Sequence, residues 1–73
     1  NSICPYCGKR YPSHADHIYP ISLGGLSTQE NMVFICETCN LRKGGMTLRN
    51  FILKYKLNRE EIEDRLTKLG KNF

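Results

Sequence analysis

The sequence predicts a small α+β domain in which two short strands and a helix precede two amphipathic helices. A chain of 73 residues has room for one domain only. Met32–Ile35 is an unbroken apolar run of strand length, rich in residues that favour β-structure. Towards the C-terminus, two segments carry apolar residues at helical spacing, each behind a capping residue. We expect a strand and helix unit over 1–45 and a helical extension of the same domain over 46–73.

The first strand is predicted over residues 14–19, from His14 to Tyr19, and ends at Pro20. A turn-rich loop follows over 22–27, where two adjacent glycines tolerate positive φ. The second strand is Met32–Ile35. The predicted order is therefore strand, loop, strand and helix, followed by two amphipathic helices.

Three helices should follow the two strands. The first runs from about Glu37 to Lys43 and is stopped by two glycines at 44 and 45. Thr47 is the expected N-cap of the second helix. The apolar face of this second helix consists of Leu48, Phe51, Ile52 and Tyr55.

The last helix has the clearest start signal in the chain. Asn58 is the expected N-cap, Glu61 stands at the capping-box position, and Leu57 can pack against Ile62. The predicted apolar stripe comprises Ile62, Leu66 and Leu69, and the helix should end at Gly70. Both stripes are expected to cover the strand and helix unit as part of its core.

Composition narrows the class of partner and the compartment. The net charge of +4 favours an acidic partner such as nucleic acid. No segment resembles a secretory signal or a membrane span, so we expect no membrane partner. Paired cysteines in a chain of this kind indicate a reducing, cytoplasmic environment, typical of a bacterial or phage intracellular protein.

The four cysteines predict a metal site. A chain this short has a thin hydrophobic core and usually needs disulfides, a metal or a partner for stability. Two residues between cysteines allow both sulfurs of a pair to face one ion, and two such pairs complete a tetrahedral site. A closed thiolate set suits a structural ion, so structural Zn²⁺ is expected on Cys4, Cys7, Cys36 and Cys39. A redox pair or two disulfides are the alternative interpretations.

Between and beside the cysteines stand residues suited to phosphodiester hydrolysis. The imidazole of His17 can take a proton from water near neutral pH. The carboxylate of Asp16 and the amide oxygen of Asn40 are hard ligands suited to Mg²⁺ or Mn²⁺. Lys43 lies three residues after Asn40 and so on the same face of the helix. Its ammonium can therefore point at the phosphate group that the metal would bind. Adjacent strand residues point to opposite faces, so Asp16 and His17 serve one site only if the strand bends or ends there.

These motifs resemble the HNH family of ββα-metal nucleases. The resemblance covers about residues 4–45 and rests on the segment Asp16-His17-Ile18-x-Pro20-x-Ser22-x-Gly24-Gly25, then Asn31, then Cys36-x-x-Cys39-Asn40-x-x-Lys43-Gly44. It implies a metal-dependent DNA endonuclease or nickase in which His17 is the general base and Asp16 with Asn40 holds the catalytic metal. Asn31 would bridge the loop and help to fix His17. Asn40 stands where the family name has its last histidine, and it keeps a neutral oxygen ligand.

The resemblance also implies that DNA is bound mainly through its phosphate backbone. Lys43 and Arg42 are the expected phosphate contacts, and the role of His14 is left open. One such site handles one strand, so cutting a duplex would need a homodimer or a parent multi-domain protein.

Two other functions stay open at this point. The main alternative is a non-catalytic zinc-binding module that holds nucleic acid without cutting it. A redox or zinc-storage module would explain the cysteines alone. Each candidate residue also has a structural alternative: His17 as a half-buried histidine, Asp16 or Asn31 as a turn former, and Asn40 as a local hydrogen-bonding group.

Overall fold

The chain folds as an α+β structure, which confirms the predicted class. The structure is a computed structural model that describes residues 2–73. The strands are β1 (His14–His17) and β2 (Met32–Ile35), and the helices are α1 (Glu37–Lys43), α2 (Leu48–Tyr55) and α3 (Arg59–Lys68). Two short 3₁₀ turns, Ile21–Leu23 and Gln29–Asn31, lie in the connection between the strands.

The two strands form an antiparallel hairpin whose register decides which side chains share a face. Asp16 lies opposite Val33, and His17 lies opposite Met32. Paired residues point to the same side of a hairpin, while neighbours along a strand point to opposite sides. Asp16 and Val33 are both buried on the face covered by the helices. The side chain of His17 therefore leaves the strand on the opposite face of the hairpin.

Strand β1 is shorter than predicted, since it ends at His17 and not at Tyr19. The backbone N–H of Ile18 still donates to the Asn31 carbonyl at 2.8 Å. At Tyr19, however, the partner is the side chain of Asn31, whose Oδ1 accepts the backbone N–H at 2.8 Å. The backbone leaves the sheet because a side-chain amide takes over the pairing.

The predicted helix caps are present. The side chain of Thr47 accepts the N–H of Asn50 at 3.1 Å, and the side chain of Asn58 accepts the N–H of Glu61 at 3.1 Å. The carboxylate of Glu61 pairs with Arg65 at 3.2 Å, one turn further along the helix. In a capping box this side chain would instead turn back to the N–H of Asn58. These bonds satisfy N–H groups that have no partner inside their helix.

One core joins the hairpin, the cysteines and the last two helices. Its buried apolar residues include Ile18, Val33, Ile35, Leu48, Phe51, Ile52, Ile62 and Leu66. The predicted stripes of α2 and α3 are therefore confirmed, except at Leu69, which is 54% exposed. Leu69 lies one turn beyond Leu66, where the helix has passed the core, and it lines a surface groove with Phe34 and Lys71.

Helix α3 also packs on the first cysteine pair. The guanidinium of Arg65 donates to the carbonyl of Pro5 at 3.0 Å. Gly8 turns there with φ of +69°, and a Cβ on it would lie 2.5 Å from an Arg65 nitrogen. The C-terminal extension thus contacts the segment that carries Cys4 and Cys7.

The α-helices within residues 2–73 have at most 10 residues each. None of them is both long enough and apolar enough to cross a membrane.

Gly25 is the position where the loop after β1 depends most on the absence of a side chain. Its N–H donates to the carbonyl of Pro20 at 2.8 Å, and a Cβ would lie 1.9 Å from the carbonyl oxygen of Tyr19. We expect Gly25→Ala to lower the free energy of unfolding by roughly 1–3 kcal/mol, because the backbone must shift. Urea denaturation measures this difference.

Gly45→Ala is the matched control for this substitution. A Cβ at Gly45 meets its nearest neighbour, Ser22 Oγ, at 4.0 Å, which is an ordinary contact. We expect the control to change the unfolding free energy by less than about 0.5 kcal/mol. Equal effects of the two substitutions would contradict the close approach at Gly25.

Candidate metal centre and active site

The sulfur atoms of Cys4, Cys7, Cys36 and Cys39 lie within 4.8 Å of one another. The Sγ atoms of Cys7 and Cys36 are 3.8 Å apart, and all four cysteines are free thiols. A tetrahedral zinc ion with Zn–S bonds of about 2.3 Å requires sulfurs about 3.8 Å apart. The cluster therefore has the donor atoms and the spacing of a Cys4 zinc site, as the spacing in the sequence predicts.

Local structure explains why the thiols converge. The N–H of Gly8 donates to the Cys4 carbonyl at 2.7 Å, which closes the turn that brings Cys7 beside Cys4. Cys36 is the N-cap of α1, and its sulfur accepts the N–H of Cys39 at 3.4 Å. A helix N-terminus favours negative charge, so this end of α1 suits thiolate ligands.

The thiols differ in their readiness to ionise. Burial raises the pKa of Cys4 and of Cys39 above that of a free cysteine. Burial also acts to raise the pKa of Cys7, but backbone N–H groups of Arg10 and Lys9 and the neighbouring thiols outweigh it and lower this pKa to about 6. A metal ion must displace protons from Cys4 and Cys39, so its affinity should fall as the pH falls.

The carboxylate of Asp16 lies inside the protein, between the cysteine site and α1. It is 7% exposed and accepts the hydroxyl of Tyr6 on Oδ2 at 2.9 Å. The ammonium of Lys43 lies 3.1 Å from Oδ2 and 3.4 Å from Oδ1. The same ammonium donates to the backbone carbonyl of His17 at 2.9 Å. Lys43 thus ties α1 to the end of β1 through two adjacent residues.

Tyr6 connects this carboxylate to the metal centre. It stands between Cys4 and Cys7, is 2% exposed, and packs its ring 5.6 Å from that of Phe51. Burial and the neighbouring Asp16 raise the pKa of Tyr6, so its hydroxyl stays protonated and acts as the donor. Sequence reasoning missed this residue. The sequence contains a signal that points to this contact. A tyrosine between two metal-ligand cysteines is a candidate for burial, and a buried tyrosine needs a partner for its hydroxyl. Asp16 is the only acidic residue before Glu30 and so the nearest candidate acceptor of that type in the sequence.

Lys43 is buried in this structure, with 1% of the residue exposed. A phosphate contact requires an accessible ammonium, so the contact predicted for Lys43 stays a prediction. Burial lowers the pKa of Lys43, and the Asp16 carboxylate acts against that shift. The three-residue spacing from Asn40 places both residues on one face of α1, and Lys43 contacts Asp16 and His17 of β1.

His17 and Asp16 have different surroundings, as expected from their opposite directions on the strand. The half-buried ring of His17 places Nε2 at 3.0 Å from the Oγ of Ser27. This bond orients the imidazole towards the loop, while the carboxylate of Asp16 turns towards α1. Lys43 contacts both residues: its ammonium pairs with the carboxylate of Asp16 and donates to the backbone carbonyl of His17.

Asn31 bridges the loop that carries Ser27. Its Oδ1 accepts the N–H of Tyr19, and its Nδ2 donates to the carbonyls of Tyr19 at 3.0 Å and of Leu26 at 2.7 Å. A single amide therefore holds both ends of the loop beside His17. Its contribution to catalysis stays a prediction.

The remaining candidates lie nearer the surface. Asn40 is half-buried on α1, on the face that also carries Lys43. Exposed Arg42 places its guanidinium carbon 5.5 Å from the ring centre of Tyr55. His14 pairs its Nδ1 with the hydroxyl of Ser13 at 2.8 Å.

The donor set for a catalytic divalent ion has suitable chemistry. A carboxylate and an amide oxygen are ligands of the type that Mg²⁺ and Mn²⁺ prefer. For such an ion, Asp16 of β1 would supply the carboxylate and Asn40 of α1 would supply the amide oxygen. The Lys43 ammonium already neutralises this carboxylate, so a metal there would have to share Asp16 with it.

A family model described as HNH endonuclease matches residues 4–45, which is more than half of the 73-residue chain. The matched segment contains both cysteine pairs, the hairpin and α1. No curated protein and no solved structure matched the chain.

The metal centre can be tested by removing one ligand. We expect Cys36→Ser to lose bound zinc and to unfold the domain, because the ion joins the N-terminal segment to α1 and its binding is coupled to folding. Metal analysis of the purified protein and circular dichroism measure the two effects.

Thr38→Ser, between the same two cysteines, is the control and should keep both zinc and fold. A Cys36→Ser protein that is folded and free of zinc would show that the cysteine cluster is not the element that stabilises the domain.

Proposed function

The chain belongs to the HNH endonuclease family, and we propose that it is a metal-dependent nuclease that hydrolyses phosphodiester bonds of DNA. The observation that carries this proposal is the match over residues 4–45, because that segment holds the candidate base and both candidate metal ligands. Asp16 and His17 come from the end of β1, and Asn40 comes from α1, whose Lys43 contacts both β1 residues. A single site of this kind acts on one strand, so one chain should nick duplex DNA.

His17 is the proposed general base. A neutral imidazole has one nitrogen that donates and one that accepts. When Ser27 donates to Nε2, this nitrogen is the acceptor, and when Nε2 donates to Ser27, the free lone pair is on Nδ1. In either tautomer Ser27 holds the ring in one orientation. The tautomer in which Nε2 donates to Ser27 is the one suited to a general base, because its Nδ1 is free to take a proton from the attacking water.

Asp16 and Asn40 are the proposed holders of a catalytic Mg²⁺ or Mn²⁺. Such an ion neutralises charge that develops on the phosphate and stabilises the leaving oxygen. Zinc on the four thiolates has the separate, structural role, since a closed set of four protein ligands leaves no position for substrate. Tyr6 orients the carboxylate of Asp16 by donating to Oδ2.

The distribution of charge supports a nucleic-acid partner. Residues 38–58 contain five lysines and arginines and no acidic residue. Apart from buried Lys43, these cations are exposed: Arg42, Arg49, Lys54 and Lys56. The guanidinium of Arg42 and the ammonium of Lys54 both lie over the ring of Tyr55, at 5.5 and 5.6 Å from its centre.

The cations of α3 provide an internal comparison. Each of them pairs with an acidic residue one turn away: Arg59 with Glu63, Arg65 with Glu61, and Lys68 with Asp64. Across residues 2–73, the ion pairs include none of the four exposed cations of the 38–58 segment. Their charge is therefore available to phosphates, and we propose that these four cations form the DNA-binding surface of the protein.

A binding module that does not cut is the second candidate. The observation in its favour is the ion pair between Asp16 and Lys43, which gives Asp16 a structural partner without any catalytic metal. Such a module would bind DNA through the same cations but would show no metal-dependent cleavage.

Replacement of His17 separates the two candidates. We expect His17→Ala to reduce plasmid nicking with Mg²⁺ or Mn²⁺ by at least about 100-fold, because it removes the general base. Zinc content and melting temperature should stay close to those of the parent protein. The measurement is conversion of supercoiled plasmid to open circle over time.

His14→Ala is the matched control from the same strand and should nick at close to the parent rate. An unchanged rate in His17→Ala would exclude His17 as the base. Absence of cutting by the folded, zinc-loaded parent on supercoiled, linear and single-stranded DNA would favour the binding module.

The proposed DNA surface predicts a difference between two double substitutions of equal charge. Arg42→Ala with Lys54→Ala should weaken DNA binding and reduce the slope of log K against log salt by about 2, or about one for each lost phosphate contact. Arg59→Ala with Lys68→Ala should leave the slope within about 0.5 of the parent value.

Fluorescence anisotropy with labelled duplex, without added Mg²⁺ or Mn²⁺, measures binding apart from cutting. Equal losses in the two double variants would mean that net charge alone attracts DNA and that the 38–58 segment has no special role.

A further inference from the structure

The ion pair between Lys43 and Asp16 occupies the carboxylate that is proposed to hold the catalytic metal. The ammonium contacts both oxygens of Asp16, at 3.1 and 3.4 Å, and the side chains are 0% and 7% exposed. The hydroxyl of Tyr6 takes a further position on Oδ2. The negative charge of Asp16 is therefore neutralised by a residue of the same chain.

A divalent cation cannot join this arrangement without changing it. Mg²⁺ or Mn²⁺ on Asp16 would stand about 2.0–2.2 Å from a carboxylate oxygen and so within a few ångströms of the ammonium. Charges of the same sign at that distance repel strongly inside a protein, where screening by water is weak. The stem of lysine has four carbons and can move its charged end while its backbone stays in place.

We propose that Lys43 is the resident cation of Asp16, and that metal and DNA phosphate displace it together. The metal takes the carboxylate, and the ammonium exchanges the carboxylate for a phosphate oxygen of the bound strand. This inference rests on the proposed function, which makes Asp16 a metal ligand and DNA the substrate.

The position of Lys43 on α1 supports the exchange. Lys43 is the last residue of the helix, and Gly44 and Gly45 follow it, both exposed. Its neighbour Arg42 is exposed on the proposed DNA surface, so a phosphate that reaches Arg42 is adjacent to Lys43 in the chain. The ammonium would thus pass from a buried partner to one supplied by the substrate.

The exchange makes metal binding and DNA binding depend on each other. Without DNA, the metal competes with an ammonium that has no other anionic partner, and its affinity is low. With DNA, the displaced ammonium has a phosphate, and the metal binds more tightly. Linkage requires the reciprocal effect, so the metal must increase the affinity for DNA by the same factor.

The test compares Mn²⁺ affinity in zinc-loaded parent and Lys43→Gln, by electron paramagnetic resonance of free Mn²⁺. Each protein is titrated alone and with a short duplex that carries non-hydrolysable linkages. We expect Lys43→Gln without DNA to bind Mn²⁺ at least tenfold more tightly than the parent. The parent should gain at least tenfold in Mn²⁺ affinity when DNA is added, and Lys43→Gln should gain less than threefold.

Two control variants separate this effect from charge and from general disturbance. Lys68→Gln removes one positive charge from α3 and should bind Mn²⁺ within twofold of the parent. Tyr6→Phe removes the other donor to Asp16 but keeps the ammonium, and it should show no gain in Mn²⁺ affinity. Equal or weaker Mn²⁺ binding by Lys43→Gln, relative to the parent, would overturn the proposal.

Lys43→Gln leaves a buried carboxylate without its cation and can fail to fold in the absence of metal. In that case its circular dichroism is followed during Mn²⁺ titration. Recovery of the folded signal with Mn²⁺ supports the competition, because the metal replaces the missing charge. A protein that stays unfolded at every Mn²⁺ concentration contradicts it.

The outcome can be distinguished from failure of the proposed function. If the parent nicks DNA and Asp16→Asn does not, while Lys43→Gln binds Mn²⁺ no more tightly than the parent, only the exchange is wrong. If the parent neither binds Mn²⁺ nor cuts DNA, both proposals fail.

Discussion

Convergence of the four thiols on one point is the constraint on which the rest of the structure depends. Cys4 and Cys36 are almost completely buried, and the cysteine pairs bring an irregular N-terminal segment against the start of α1. A chain of this size has too little apolar surface to hold such a segment by packing alone. Two contacts extend from it: Tyr6 donates to Asp16, and Arg65 of α3 packs on Gly8 and Pro5. The metal centre therefore positions both the candidate active site and the C-terminal helix.

The Lys43–Asp16 pair is the second organising contact, and it differs in kind. Burying two charges is costly, and the cost is offset here by good geometry and by further hydrogen bonds to Tyr6 and to the His17 carbonyl. A hydrophobic pair could join α1 to β1 at lower cost. The ionic pair lies beside the candidate base, and its buried ammonium can be exchanged for another cation, which a hydrophobic pair does not allow.

Helix α3 and the 38–58 segment differ in how their charged side chains are paired. Helix α3 carries four acidic and three basic residues, and each basic residue forms an i, i+4 pair that neutralises its charge. The 38–58 segment carries cations and no acidic residue, and two of these cations lie beside Tyr55. A net charge of +4 over the whole chain is modest. The proposed DNA contact rests on the difference between the paired cations of α3 and the exposed cations of the 38–58 segment, which form no ion pair within residues 2–73.

The sequence by itself determined the features that depend on neighbouring residues. The bounds of β2 and α1, the caps at Thr47 and Asn58, and the cysteine spacing follow from local hydrogen bonding and turn geometry, which act over a few residues. Only the tertiary structure decided what depends on distant residues. Tyr6 and Lys43 are 37 positions apart yet share Asp16, and the core ends before it reaches Leu69. Whether a lysine is exposed or buried is set by what packs over it, and its local sequence carries no record of that.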